Sequence, residues 1–378
     1  MHIVIAIDAF KGSLTSMEAG CAAAAGIRRI RPDARITVRP LADGGEGTTE
    51  ALVSGLSGEY RSVTVSGPLG RPVRAQYGIL PDGTAVMEMA AASGLPLLTP
   101  AQYDPLHTTT RGFGEMIADA VSRGCRRFLL GIGGSATNDG GTGCLSALGY
   151  RFTDAQGHPV CDGAAGLAGI EHIDEAGVLP ALRECTFHVA CDVENPLCGE
   201  NGCSAVFAPQ KGADAAMIAR MDADLRRFAG LVQRQYPDAD PDLPGAGAAG
   251  GLGFGLTAFL HAALSPGAAL ILRETGFDTL LPDADLVITG EGRLDAQTAM
   301  GKAPAGVARL AGRYGKPVIA FCGAAGEGAR QCHAAGIHAY FPILRSVTTL
   351  AQAMEPASAA ASLADTAEQV FRLIGCIR

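Results

Sequence analysis

The chain has 378 residues, 48% of them hydrophobic and 18% charged. That length suits two domains, and the apolar share builds a substantial core and excludes a disordered chain. A formal net charge of −8, no tryptophan and no long Lys/Arg run argue against a nucleic-acid-binding face.

The opening residues Met1–Asp8 read as a strand, not a signal peptide, because no basic stretch precedes an apolar one. No apolar run is long enough to span a bilayer, so no membrane association is expected. The eleven cysteines include no Cys-x-x-Cys pair, which fits reduced, mostly buried thiols in a cytoplasmic protein.

Along the chain, Ile3–Ile7 predicts a strand and Glu18–Arg29 a helix. Ile36–Leu41 predicts a second strand, followed by a helix over Thr49–Leu56. Val63–Val65, Val73–Leu80 and Ala85–Met89 are separated by Gly-Pro and Pro-Asp-Gly turns and predict hairpins. Arg127–Ile132 predicts a strand before a long glycine loop and a helix over Cys144–Leu148. Phe187–Cys191 is another strand, and Ala213–Tyr236 a long amphipathic helix. Pro237–Gly255 reads as a structured loop entering a helix at Leu256–Leu264. Leu286–Thr289 predicts a strand ending at Gly290, with a helix from near Ala305 and strands at Val318–Cys322 and Ala339–Ile343.

Repeated strand–loop–helix units imply an α/β protein with parallel strands. The hairpins imply a mixed α/β domain inserted into a discontinuous, Rossmann-like one. The expected boundaries are 1–58 with 283–378 for the Rossmann-like part and 59–282 for the insertion.

The loops at the predicted strand ends carry the chemistry. Asp8 precedes Lys11-Gly12-Ser13 and a capping box, Thr15-Ser16-Met17-Glu18, where free N–H groups favour an anion. Asp43-Gly44-Gly45-Glu46-Gly47-Thr48 sets two carboxylates among glycines, suited to Mg²⁺ or to accepting a hydroxyl proton. Gly131–Gly141 holds Gly133, Gly134, Ser135, Thr137, Asn138 and Asp139; it is neither a Walker A motif nor a dinucleotide fingerprint, yet it suits a phosphate. Asp192, Lys211 in Pro209–Gly212, the small-residue loop Gly245–Gly251, Arg293 and Asp295 in Gly290–Asp295, and Lys302 complete the set. Donors, cations and carboxylates in this mixture are what phosphoryl transfer needs.

In these stretches, and in Ala190–Leu197, the sequence resembles the bacterial type-1 glycerate kinase family, in order and over essentially the whole chain. One difference is Ile7-Asp8-Ala9, where the family commonly reads Pro-Asp-Ser. The resemblance implies ATP-dependent, Mg²⁺-dependent phosphorylation of D-glycerate, most often to the 2-phosphate, by two α/β domains with a cleft between them; closure of that cleft to exclude water is expected on chemical grounds. The 3-phosphate, or a related small hydroxy acid as acceptor, is the alternative; an NAD-dependent dehydrogenase or a non-catalytic sensor is disfavoured. A homo-oligomer stays possible.

On residue chemistry, Lys11, Ser13, Arg293 and Asp295 are expected at glycerate. Asp43 or Asp192 is expected to be the base, with Asp8 and Lys11 beside it. Mg²⁺ is expected on Asp43, Glu46 and Asp295. The ATP phosphates are expected at Gly44, Gly45, Glu46, Gly133, Gly134, Ser135, Thr137, Asn138, Asp139, Lys211 and Lys302.

Overall fold

The fold is seen in a computed structural model that describes residues 1–377. Its thirteen strands are β1 (His2–Ile7), β2 (Arg35–Val38), β3 (Glu59–Ser66), β4 (Pro72–Ile79), β5 (Thr84–Glu88), β6 (Arg127–Gly131), β7 (Arg151–Thr153), β8 (His172–Asp174), β9 (Thr186–Ala190), β10 (Ala263–Ser265), β11 (Leu286–Leu294), β12 (Val318–Ala325) and β13 (Ala339–Pro342). The chain divides into two compact units. One comprises Met1–Asp43, Glu50–Ser57 and everything from Gly267 onward; the other comprises Gly44–Thr49 and Gly58–Pro266. No described helix is long and apolar enough to cross a membrane.

The first unit is a five-stranded sheet in the order β13-β12-β11-β1-β2, parallel throughout. Both faces are covered, so β1 is buried at every position and, after His2, apolar from Ile3 to Ile7, as a strand covered on two sides must be. Ile3, Ile5 and Ile7 pack with helices Ser16–Arg28 and Pro356–Ile377, while Val4 and Ala6 pack with the helices at Gly267–Glu274 and Ala303–Arg313. The first helix starts as expected, with Thr15 and Glu18 bonded reciprocally in a capping box. Its Gly26 lets the last helix come close: a Cβ there would lie 1.9 Å from the carbonyl oxygen of Ala364.

Read outward from β2, this is the doubly wound order 2-1-3-4-5. Its connections reverse between β1 and β11, and the crevice outside the strand ends at such a reversal is where α/β sheets bind ligands.

The second unit has a mixed six-stranded sheet, β10-β9-β6-β5-β4-β3, and a small β7-β8 ribbon. β3, β4 and β5 are antiparallel, whereas β5, β6, β9 and β10 are parallel. Its core is aromatic: Phe128 stacks on Phe187 at 4.8 Å, and Phe228 meets Phe152 and Phe254 edge-on. The long helix, Ala215–Gln235, turns Met221, Leu225, Phe228 and Val232 into that core.

The helix expected over Leu256–Leu264 ends at Leu260, and Ala263–Ser265 forms β10 instead; two further departures lie in the glycine-rich segments. β11 does not end at Gly290 but continues through Leu294, because β12 also runs on and pairs with it at Arg293 and Leu294. Glycine makes this closeness possible, since a Cβ on Gly290 would sit 2.1 Å from the carbonyl oxygen of Phe321. The second departure is in the Gly245–Gly251 loop. Ala249, Gly250 and Gly251 take left-handed backbone conformations, and helix Ala248–Leu260 includes part of the stretch read as loop.

Candidate active site

In the first unit a cavity of about 490 Å³ opens at the carboxyl ends of β1, β11 and β12, at the point of topological reversal. Seven of the residues singled out in the sequence line it: Asp8, Lys11, Ser13, Asp43, Arg293, Asp295 and Lys302. Asp8 follows the last residue of β1 and is held there by its N–H bond to the carbonyl of Gly290. Its carboxylate accepts from the Ala9 N–H at 2.8 Å. Burial, and next the negative charge of Asp43, push the Asp8 acid up to about 7; Lys11 pulls the other way. Lys11 Nζ itself lies 3.6 Å from Asp43.

Glu291, which sequence reasoning quoted within its loop but gave no role, lines the same cavity from β11. It accepts from the Thr298 hydroxyl at 2.5 Å. Burial raises its acid, against that hydrogen bond and the nearby Lys302. Asp295 caps the short helix Ala296–Ala299 by accepting from Gln297 N–H at 2.9 Å, and its other oxygen lies 3.8 Å from Arg293. Ser13 lines the cavity, and its Oγ is buried with no hydrogen-bond partner in the protein.

In the second unit, strand register brings another group of predicted residues to one edge. Glu88, Gly131 and Ala190 are aligned at the ends of β5, β6 and β9, so Asp192 and the Gly133–Gly134 turn project from the same carboxyl edge. Gly44 and Gly45 rest against this turn. A Cβ on Gly131 would meet the Gly44 carbonyl oxygen at 2.6 Å, and one on Gly133 would lie 3.5 Å from the Gly45 Cα. Gly133 and Gly134 are exposed, as are Glu46 and Asp192.

The rest of the long glycine loop faces inward. Thr137, Asn138, Asp139 and Lys211 are buried, and Ser135 nearly so. Lys211 donates to Ser135 Oγ at 2.8 Å and to the Thr137 carbonyl at 2.6 Å. Burial depresses the Lys211 ammonium to about 8. Asp139 accepts from the N–H groups of Thr110, Gly141 and Gly143 and from the Thr110 hydroxyl. In this conformation these side chains brace the loop, and its outward-facing part is the glycine backbone.

Glu88 escaped the sequence reading because it closes a short strand whose other residues are all buried, with no motif around it. Its carboxylate accepts the Thr49 N–H at 2.7 Å, at the start of helix Thr48–Gly55, and burial raises its acid. A carboxylate on the last residue of a strand facing two glycine loops was the available signal.

The sequence pattern of the glycerate kinase family matches residues 3–375. The chain belongs to that family. It is 47% identical over 354 residues to the glycerate kinase of Halalkalibacterium halodurans, covering 93% of each chain. It is 46% identical over 358 residues to the glycerate 2-kinase of Escherichia coli K12, covering 94% of each. A solved structure described as glycerate kinase 2 from Salmonella typhimurium LT2 superposes with a TM-score of 0.92 at 46% identity, over 100% of this chain and 98% of that one. The candidate residues of this glycerate kinase family member fall into two groups: those lining a charged cavity at the reversal of the first sheet, and those at the glycine turns on the carboxyl edge of the second.

Proposed function

We propose that this chain transfers the terminal phosphoryl group of ATP to a hydroxyl of D-glycerate, giving 2-phospho-D-glycerate and ADP. The observation that carries this reading is near-full-length identity of 46% to a glycerate 2-kinase. The cavity supports it with cations for phosphates and carboxylates for a proton.

Lys11, Arg293 and Lys302 bind and neutralise the anionic oxygens, and Ser13 Oγ donates a hydrogen bond to them. Asp8, whose acid lies near neutrality, is suited to take the proton of the acceptor hydroxyl; Asp43 or Asp192 is the alternative base. The exposed glycines Gly133 and Gly134 form a turn whose backbone suits an anion.

Among the described residues no group of three or more His, Cys, Asp or Glu is arranged to hold a bare metal ion. Magnesium would enter with the nucleotide and screen its phosphate charge, with Asp43 or Asp295 as the carboxylate that would hold it. Glu46 belongs to the other unit.

The test is ³¹P NMR of the purified chain with ATP, magnesium and D-glycerate. A phosphomonoester coupled to one CH proton is expected. Coupling to a CH₂ replaces the product by the 3-phosphate. Intact ATP with folded protein overturns the reading and turns attention to related hydroxy acids.

A further inference from the structure

The cavity of the first unit is much larger than a three-carbon acid needs, and its volume of about 490 Å³ lies in the range of pockets that enclose larger organic ligands. Its wall has two chemistries. The charged residues come from the strand ends and from Asp43, Asp295 and Lys302. The apolar wall is Phe10, Ile343, Leu344, Leu350 and Met354.

Three features of that apolar wall go beyond ordinary core packing. Leu350 is 76% exposed and Leu344 is 44% exposed, although both line a cavity. Leu350 opens a short helix, Leu350–Met354, that is fixed at its start by the capping box of Thr349 and Gln352, and Leu344 lies in the segment leading into it. The Met354 methyl also packs over the Lys11-Gly12-Ser13 turn, so closely that a Cβ on Gly12 would lie 2.7 Å from it. The apolar wall is thereby anchored beside the cationic and orphaned polar groups. A flat apolar ring attached to a polyanion matches both chemistries at once, and methionine and leucine side chains suit the faces of such a ring.

The geometry points to this cavity as the adenine nucleotide site, with the base against Leu344, Leu350 and Met354 and the phosphates toward Ser13, Lys11, Arg293 and Lys302. This assignment rests on the kinase reading above and goes further by placing the nucleotide in the first unit. The order of the sheet supports it independently, because the cavity occupies the reversal between β1 and β11.

The experiment is photolabelling of the full chain with 8-azido-ATP and magnesium, followed by peptide mapping, together with kinetics of Leu350→Glu. Leu350 is exposed, so this substitution does not threaten the core. Label is expected within 343–359, suppressed by excess ATP. The KM for ATP in Leu350→Glu is expected to rise about tenfold, while the KM for glycerate moves less than about twofold. Label confined to 58–266, no ATP-protected label, or an unchanged KM for ATP overturns the assignment. Protected label at 343–359 without any phosphorylation of glycerate upholds the nucleotide site and sinks the glycerate reading. Turnover of glycerate with label elsewhere does the reverse.

Discussion

Lys211 is 1% exposed, and its ammonium donates to the carbonyl oxygen of Thr137 at 2.6 Å. A buried cation thus braces the glycine loop from behind, and the loop presents the exposed Gly133–Gly134 backbone on its other side.

This bracing has a pH signature. Burial lowers the Lys211 ammonium from 10.5 to about 8 in the folded chain. Between those values the unfolded state binds more protons, so this residue's contribution to stability rises with pH through that window. Below it both states are protonated, and the full desolvation penalty remains. Lys211→Met lacks this dependence and leaves the Thr137 carbonyl unpaired, at a cost of about 1–3 kcal/mol. Urea unfolding at pH 8 and pH 10.5 should show the wild type gaining about 3 kcal/mol relative to Lys211→Met. A constant difference between the two proteins would refute burial as the cause.

Asp8 has the opposite sign. Its acid is raised from 3.8 to about 7 in the folded chain, so between these values the folded state holds the proton more tightly and rising pH destabilises it. Asp8→Asn should therefore be more stable than wild type at pH 8, by about 2–4 kcal/mol. As a base, Asp8 works when deprotonated, so kcat/KM for glycerate phosphorylation should rise through pH 7 and level off above it. Asp8→Asn should lose at least about a hundredfold in kcat with a flat profile. A variant that keeps wild-type turnover would move the base role to Asp43 or Asp192.

Glycine is required at Gly250 for two reasons. Its φ is +68°, and a Cβ there would lie 2.1 Å from the Thr137 carbonyl oxygen. The Gly250 carbonyl also accepts the Gly140 N–H at 3.0 Å, so the two glycine loops interlock backbone to backbone. Gly250→Ala should cost at least about 3 kcal/mol. Gly230, in the long helix with open space at its Cβ position, is the control, and Gly230→Ala should stabilise by about 1 kcal/mol. Thermal unfolding of both variants checks the contrast.

Much was legible in the sequence because it depends on local pattern. Alternating and continuous apolar runs located β1, β6, β9 and β12, and the spacing in Ala215–Gln235 identified its buried face. Thr15 and Glu18 announced their helix, since capping needs only neighbouring residues. Strand-end carboxylates and cations, with Ser13 beside them, pointed to seven residues that share one cavity. Long-range pairing was not legible: β11 extends past Gly290 only because β12 lies alongside. Side-chain direction was equally hidden. Lys211 and Asp139 look from the sequence like groups for a phosphate, but close packing of the loops turns them inward, where hydrogen bonds offset the cost of burying their charge. Likewise Glu88 and the apolar wall at Leu344, Leu350 and Met354 acquire meaning only where distant segments meet. Local pattern marks which residues carry charge or hydrogen-bonding groups at strand ends; long-range packing sets which of them line a cavity and which are buried, because burial and pairing depend on contacts between residues far apart in the chain.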